Sequence, residues 1–247
     1  MTMNVEEFYN NEAKAYDTLR WTGPIGNYVH RQYERLVAEA LPIIPGARYL
    51  EVGCGTGRFT VPVAAQGVDL TAVDISDEML ATTRGKLQAA AVKQPVQLLK
   101  LDARDSGFAP ASYDVVFSFN VINHVPEYER LITEVARVLK PGGCFVVGYP
   151  SLWSVYLPYA MLVNLTRRSI RRGVYTRWPS TPALVRQARG LGLSVERARG
   201  MFHCPAIRQP LVANVVATML KLGGKLVEKG PLQAVASTRI MVFRKAK

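Results

Sequence analysis

Tyr49-Leu50-Glu51-Val52-Gly53-Cys54-Gly55-Thr56-Gly57-Arg58-Phe59-Thr60 is the stretch on which the reading of this chain turns. It opens as a short apolar run and closes where a helix is expected, with glycine at every second position between. A strand that stops abruptly and hands the chain to a helix needs residues that tolerate positive φ and carry no Cβ. Gly53, Gly55 and Gly57 meet both needs and leave room for a ligand against the backbone. The helical run Val61–Ala65 then turns its free N–H groups toward that ligand.

Two ligand classes share this grammar. The dinucleotide fingerprint G-x-G-x-x-G has a third glycine that lets helix and strand pack closely. Here the third glycine comes one residue early and Arg58 holds the fingerprint position. A glutamate also precedes the first glycine by two residues. Glu51-x-Gly53-x-Gly55-x-Gly57 resembles motif I of the class I S-adenosylmethionine (SAM) methyltransferases. That resemblance implies a loop around the methionine half of SAM, whose ammonium and sulfonium suit an acidic neighbour.

From Arg48 to Tyr149 strand and helix alternate. Strands are expected at Arg48–Val52, Asp69–Asp74, Val96–Leu101, Tyr113–Ser118 and Cys144–Tyr149. Helices are expected at Val61–Ala65, Asp77–Ala91 and Glu127–Leu139, and Leu139-Lys140-Pro141-Gly142-Gly143 reads as a tight helix-to-strand turn. Such alternation predicts an α/β fold, a parallel sheet covered on both faces, with ligands at the carboxyl ends of its strands. Asp74 ends the second strand, where a carboxylate can accept from both ribose hydroxyls of an adenosine. Ser76 reads as an N-cap. Ile75 and Met79 either sandwich an adenine or pack in the core.

These pieces together resemble the ubiquinone- and menaquinone-biosynthesis branch (methyltransferase type 11) over residues 48–149. The resemblance implies a Rossmann-like seven-stranded sheet with its last strand antiparallel, completed by Leu193–Arg199 and Thr238–Arg244 after a helix at Pro182–Gly190. It also implies Asp102 and Ala103 beside the adenine edge, with Asn120 on the loop after the fourth strand and Tyr16 among the SAM contacts. The segment Phe8-Tyr9 … Ala15-Tyr16-Asp17 resembles the piece that folds over SAM in many small-molecule methyltransferases. Its alternative is an ordinary amphipathic helix whose aromatics face the core. Residues 1–45 as a whole read as helical, with Tyr28, Tyr33, Leu36, Val37 and Leu41 spaced at threes and fours and closed by Pro42 and Pro45.

The chain thus divides into a helical lid (1–45), a SAM-binding core (46–150), an apolar and basic insertion (151–180) and a completion of the sheet (181–247). The last piece carries an amphipathic helical insertion over 201–237. A hydrophobic content of 49% with 20% charged residues is that of a globular chain. Three cysteines, Cys54, Cys144 and Cys204, never occur as CxxC, so neither a disulfide framework nor a metal site is expected and a reducing, cytoplasmic setting fits. The acidic, polar opening segment does not read as a secretory signal.

Charge is uneven. Residues 1–150 hold 14 Lys and Arg against 17 Asp and Glu, whereas residues 151–247 hold 17 against 2. Ten of those cations are arginines between Leu165 and Arg208. They form either a solvated face or a docking surface for an anionic partner, such as lipid headgroups, an acidic substrate or nucleic acid. The uncharged run from Pro141 through Thr166 is broken by Pro150 and Pro158 and is partly needed as a strand, so a membrane span is rejected. Its remainder reads as an interfacial helix, a cover over a greasy substrate, or a helix packed on the sheet. The apolar face Leu211, Val212, Val215, Val216, Met219, Leu220 and Leu222 suits a partner subunit, a membrane or the pocket, and a homodimer through residues 210–228 is one expectation.

Methyl transfer from a sulfonium is an in-line displacement governed by positioning. An O-methyl transfer to a small hydrophobic or lipid-like acceptor is favoured, with His124 and His203 as candidate bases, Tyr16 a weaker one, and His30 more distant in the pattern. Peripheral contact with an anionic membrane accompanies that reading. The alternatives are an RNA or other nucleic-acid methyltransferase using the basic half, a nucleotide-binding oxidoreductase, or a SAM-binding module without catalysis. Ser118-Phe119-Asn120-Val121 does not resemble the [DN]-P-P-[YF] of DNA amino-methylases, and Arg58 weighs against the oxidoreductase.

Overall fold

The computed structural model describes residues 4–21, 23–167, 174–202, 218, 233 and 235–247. Three helices, α1 (Val5–Glu12), α2 (Tyr16–Trp21) and α3 (Gly23–Ala40), precede the sheet. Then come β1 (Arg48–Val52), α4 (Thr60–Ala64), β2 (Asp69–Asp74), α5 (Asp77–Ala89), β3 (Gln97–Lys100), β4 (Tyr113–Phe119), α6 (Tyr128–Val138) and β5 (Leu139–Pro150). The chain ends with α7 (Leu157–Thr166), α8 (Thr181–Gly190), β6 (Leu193–Met201) and β7 (Thr238–Lys245).

The seven strands lie in the order β3-β2-β1-β4-β5-β7-β6. β1 pairs in parallel with both β2 and β4, and β7 runs antiparallel between β5 and β6. This is the expected Rossmann-like sheet. The order reverses between β1 and β4, so a crevice opens there at the strand ends, beside the glycine turn.

Period-2 alternation builds the two halves of the core. Leu50 and Val52, with Val116, Phe145, Val147 and Phe243, face α6 and α8. Tyr49, with Val115, Phe117, Val146 and Val242, faces α3 and α4. Tyr33, Leu36, Val37 and Leu41 join that second cluster, so α3 serves the core and only α1 and α2 reach the crevice. The Tyr49 hydroxyl donates to Pro42 O (2.8 Å) and accepts from Ile44 N (2.7 Å), which ties the approach to β1.

Local chemistry sets the helix starts. Ser76 Oγ accepts from Met79 N at 3.1 Å, the expected cap, which contributes about 1 kcal/mol. Two expectations shift. Glu127 is left-handed (φ 55°), so α6 begins at Tyr128. The expected turn at 139–143 is a bulge inside β5: Leu139 pairs with Tyr113 and Cys144 with Val115. Gly142 has φ 75°, and a Cβ on Gly143 would lie 2.8 Å from Lys140 O. The helix ends so close to the sheet that Leu139 joins the strand at once.

Within 151–180 the described residues form α7 and a return over 174–180. Asn164 clamps the two together, accepting from Trp178 N (2.6 Å) and donating to Trp178 O (3.0 Å). Among the described residues, no helix is long and apolar enough to cross a membrane. His203, Cys204 and nearly all of the amphipathic 201–237 segment lie outside the described residues, as do Arg168, Arg171 and Arg172.

Candidate functional site

A cavity of about 550 Å³ occupies the crevice at the carboxyl ends of β1, β2, β3 and β4. Gly53, Gly55, Asp74, Ile75, Met79, Asp102, Ala103, Asn120, His124 and Tyr16 all line it. Glu51 and Gly57, also singled out in the sequence, do not. Their positions have separate physical causes.

The three glycines divide the work of the turn. Gly53 has φ 72°, and a Cβ there would lie 2.3 Å from Val121 Cγ2, so glycine lets the β4 exit loop close against β1. Gly55 faces open space. Gly57 makes room for α5, since a Cβ would sit 3.0 Å from both Thr83 Cγ2 and Oγ1. Thr83 Oγ1 in turn donates to Gly55 O at 2.7 Å. Arg58 lies over the rings of Tyr33 (5.0 Å) and Phe59 (4.8 Å), its Nη2 donating to His30 O. It seats the loop on α3.

Asp74 is held by the turn it follows. Oδ2 accepts from Gly55 N (2.8 Å) and Oδ1 from Ser76 N (3.0 Å). Burial pushes its pKa up, while these backbone N–H groups and that of Ile75 oppose the rise. Three N–H donors still leave the carboxylate acceptor capacity for a ligand. Glu51 follows the strand alternation to the α3/α4 side, behind the loop. It is 3% exposed and its Oε2 has no hydrogen-bond partner among the described residues. Burial, with the charge of Asp74 adding to it, pushes its pKa up to about 8. A carboxyl buried at such cost directly behind the glycine turn of a cavity fits a cationic occupant on the other side of that turn.

Asp102 sits at the rim. Arg104 grips both its oxygens through Nε (3.1 and 3.0 Å) and Nη2 (2.6 Å), and the Arg104 side chain holds the Asp102 pKa down. Asn120 is left-handed (φ 59°), with its N–H donating to Gly148 O at 2.8 Å.

His124 meets the insertion. Its Nδ1 lies 3.0 Å from Tyr175 O and 3.3 Å from Thr176 Oγ1. A carbonyl only accepts, so Nδ1 carries the proton and Nε2 holds the lone pair of the neutral ring. The Tyr9 ring stands edge-on to the imidazole at 5.8 Å. Tyr9, in the segment that resembles the piece folding over SAM, lines the cavity, as do Phe119 and Val121, which the sequence had not marked as contacts.

Helices α1 and α2 are latched across the opening. Ser76 Oγ donates to Asn10 Oδ1 (2.6 Å), Thr56 Oγ1 to Asp17 Oδ1 (2.8 Å), and Lys86 pairs with Asp17. Lys100 bridges Glu6 (2.8 Å) and Asp77 (2.6 Å).

A sheet reversed between β1 and β4, a glycine turn with an acid behind it and an acid at the β2 tip are the features that the resemblance to class I SAM-dependent methyltransferases leads one to expect. Residues 50–147 match the methyltransferase domain family. The phosphatidylethanolamine N-methyltransferase of Cereibacter sphaeroides is 38% identical over 102 residues, 41% of this chain and 50% of that protein. The demethylmenaquinone methyltransferase of Renibacterium salmoninarum is 27% identical over 206 residues, 77% of this chain and 84% of that protein. The fold matches that of magnesium protoporphyrin IX methyltransferase from Synechocystis with bound SAH, at a TM-score of 0.68, 16% identity and 98% coverage of both chains.

Proposed function

We propose that this protein transfers the methyl group of SAM to a small, hydrophobic or lipid-like acceptor, with O-methylation favoured. One observation carries the proposal: a single cavity joins the Asp74 and glycine-turn surfaces, which suit a nucleoside, to His124, which suits an acceptor. In this reading Asp74 holds the ribose hydroxyls, Ile75 and Met79 flank the adenine, and Asp102 with Ala103 meets its edge. Gly53, Gly55, Asn120 and Tyr16 hold the methionine half, with Glu51 acting electrostatically through the loop. Gly57 contributes packing instead. When bound, SAM supplies an electrophilic methyl group.

The chain's own contribution is alignment, exclusion of water by the latched α1 and α2, and proton removal at His124 Nε2. The Tyr175 carbonyl fixes the tautomer that leaves Nε2 basic. His203, the other candidate, lies outside the described residues. Relatives named for menaquinone and phospholipid methylation support an apolar acceptor. The basic half also suits a membrane-presented acceptor.

The test is a screen of hydrophobic hydroxylated compounds and lipids, alongside RNA, with labelled SAM and detection by mass spectrometry. Methylation of RNA alone would overturn the acceptor class. With an acceptor in hand, His124→Ala is expected to lower kcat about 10²-fold or more with little change in SAM affinity. Unchanged kcat with a hydroxyl acceptor would remove His124 from proton transfer.

Glu51 gives a pH prediction. Its carboxyl is mostly protonated at neutral pH and a cationic ligand favours ionisation, so binding releases a proton. SAM affinity then rises with pH up to about 8, by at most about tenfold per unit, and flattens above. Without ligand the sign reverses for stability. The folded carboxyl keeps a proton that the unfolded one, near 4.5, gives up, so its contribution falls as pH climbs from 4.5 to 8. Glu51→Gln should lose the part of the calorimetric proton release that wild type shows beyond SAM's own amino group. Equal release in both proteins would sink this account.

A further inference from the structure

We propose that α7 and the turn before it form a docking surface for an anionic phospholipid bilayer. The surface is distinct from the cavity, and the proposal does not rest on the identity of the methyl acceptor. α7 buries Ala160 and Val163 against Trp178. Its other side faces outward: Met161 is 60% exposed, Leu162 48% and Leu165 82%. Trp153 and Val155, on the preceding turn, are 51% and 55% exposed. Val155 N donates to Val235 O, which brings the exposed Val235 to the same patch. Most of the exposed large apolar side chains among the described residues therefore gather on one short segment and its neighbour. A monomer in water rarely exposes such a cluster without a use for it.

Charge identifies the occupant. Arg167 closes α7, and Arg168, Arg171 and Arg172 follow it in the sequence. No acidic residue occurs between Glu134 and Glu196. An apolar face followed in the sequence by arginines, on a segment that carries no carboxylate of its own, matches the boundary between acyl chains and anionic headgroups. A purely apolar partner would not need the arginines, and nucleic acid would not need the exposed leucines.

The same segment reaches the site. Asn164 on α7 clamps Trp178, Arg177 N donates to Asn123 O (2.8 Å), and Tyr175 O meets His124. A bilayer seated on α7 thus lies on an element tied, through Trp178 and the 175–177 return, to His124 of the cavity lining.

The experiment is flotation of the full-length protein with vesicles of phosphatidylcholine alone or with about one third phosphatidylglycerol. Binding is expected to be about 100-fold tighter with the anionic lipid and to fall steeply in about 0.5 M salt. Met161→Glu with Leu165→Glu should weaken it at least tenfold while thermal stabilisation by S-adenosylhomocysteine stays as in wild type, which shows that the variant is folded. Arg171→Glu with Arg172→Glu should remove the preference for anionic lipid. Absence of binding to either vesicle overturns the proposal, as does equal binding by the apolar-face variant. A dimer in light scattering that the apolar-face variant dissociates, without vesicle binding, would assign the face to a second copy and also overturn it.

Discussion

Asp74→Ala is expected to weaken SAM binding by about 10²-fold or more while the sheet still forms. In the proposed placement the carboxylate accepts from two ribose hydroxyls, and hydrogen bonds to a charged acceptor contribute roughly 1.5–3 kcal/mol each. The same oxygens already hold Gly55 N and Ser76 N, so the glycine turn loses its preset shape as well. Two unpaired donors cost up to a few kcal/mol where water does not replace the carboxylate. At about 2–4 °C per kcal/mol for a chain of this size, the melting temperature should drop by several degrees. Asp74→Asn, which keeps one acceptor oxygen, should lie between. Calorimetric titration of each variant checks this. Wild-type affinity in a folded Asp74→Ala protein would remove Asp74 from the ribose.

Gly53→Ala should be the more damaging change for the fold. Its Cβ would sit 2.3 Å from Val121 Cγ2 and 2.9 Å from Cγ1, both on a stiff β-branched side chain. Overpacking of this kind costs about 1–3 kcal/mol, and the left-handed backbone at φ 72° adds about 1–2 kcal/mol. Relief requires Val121 to move, and Val121 lines the cavity. The expected result is a melting temperature lower by about 10 °C and SAM affinity reduced about tenfold or more. Adding Val121→Ala should recover the steric part but not the backbone part, a coupling that a double-mutant cycle reads directly. Simple additivity of the two changes would show that the contact is not what requires glycine.

Much of the architecture could be read one segment at a time. Arg48–Val52 and Asp69–Asp74 are short apolar runs ended by a glycine turn and by an aspartate before a serine cap, and these local signals coincide with the observed bounds. The 139–143 segment failed because Pro-Gly-Gly is a turn signal anywhere, and only the arrival of Leu139 beside Tyr113 makes it a bulge. In the site, Asp74, Ile75 and Met79 could be found by counting from Gly53. Phe119 and Val121 could not, because an aromatic or a valine in those positions serves a core equally well.

The sequence by itself determined the alternation of strand and helix, the glycine turn with an acid on either side of it, and the concentration of positive charge after Ser151. Those are properties of neighbouring residues, governed by backbone sterics, side-chain period and capping. The tertiary structure alone decided that Glu51 lies behind the loop, that Gly57 admits α5, and that Tyr175 O fixes the His124 tautomer. The last two depend on where segments 26 and 51 residues away come to rest. Chain order carries no distance information at that range. The close packing of helices on a twisted sheet supplies it.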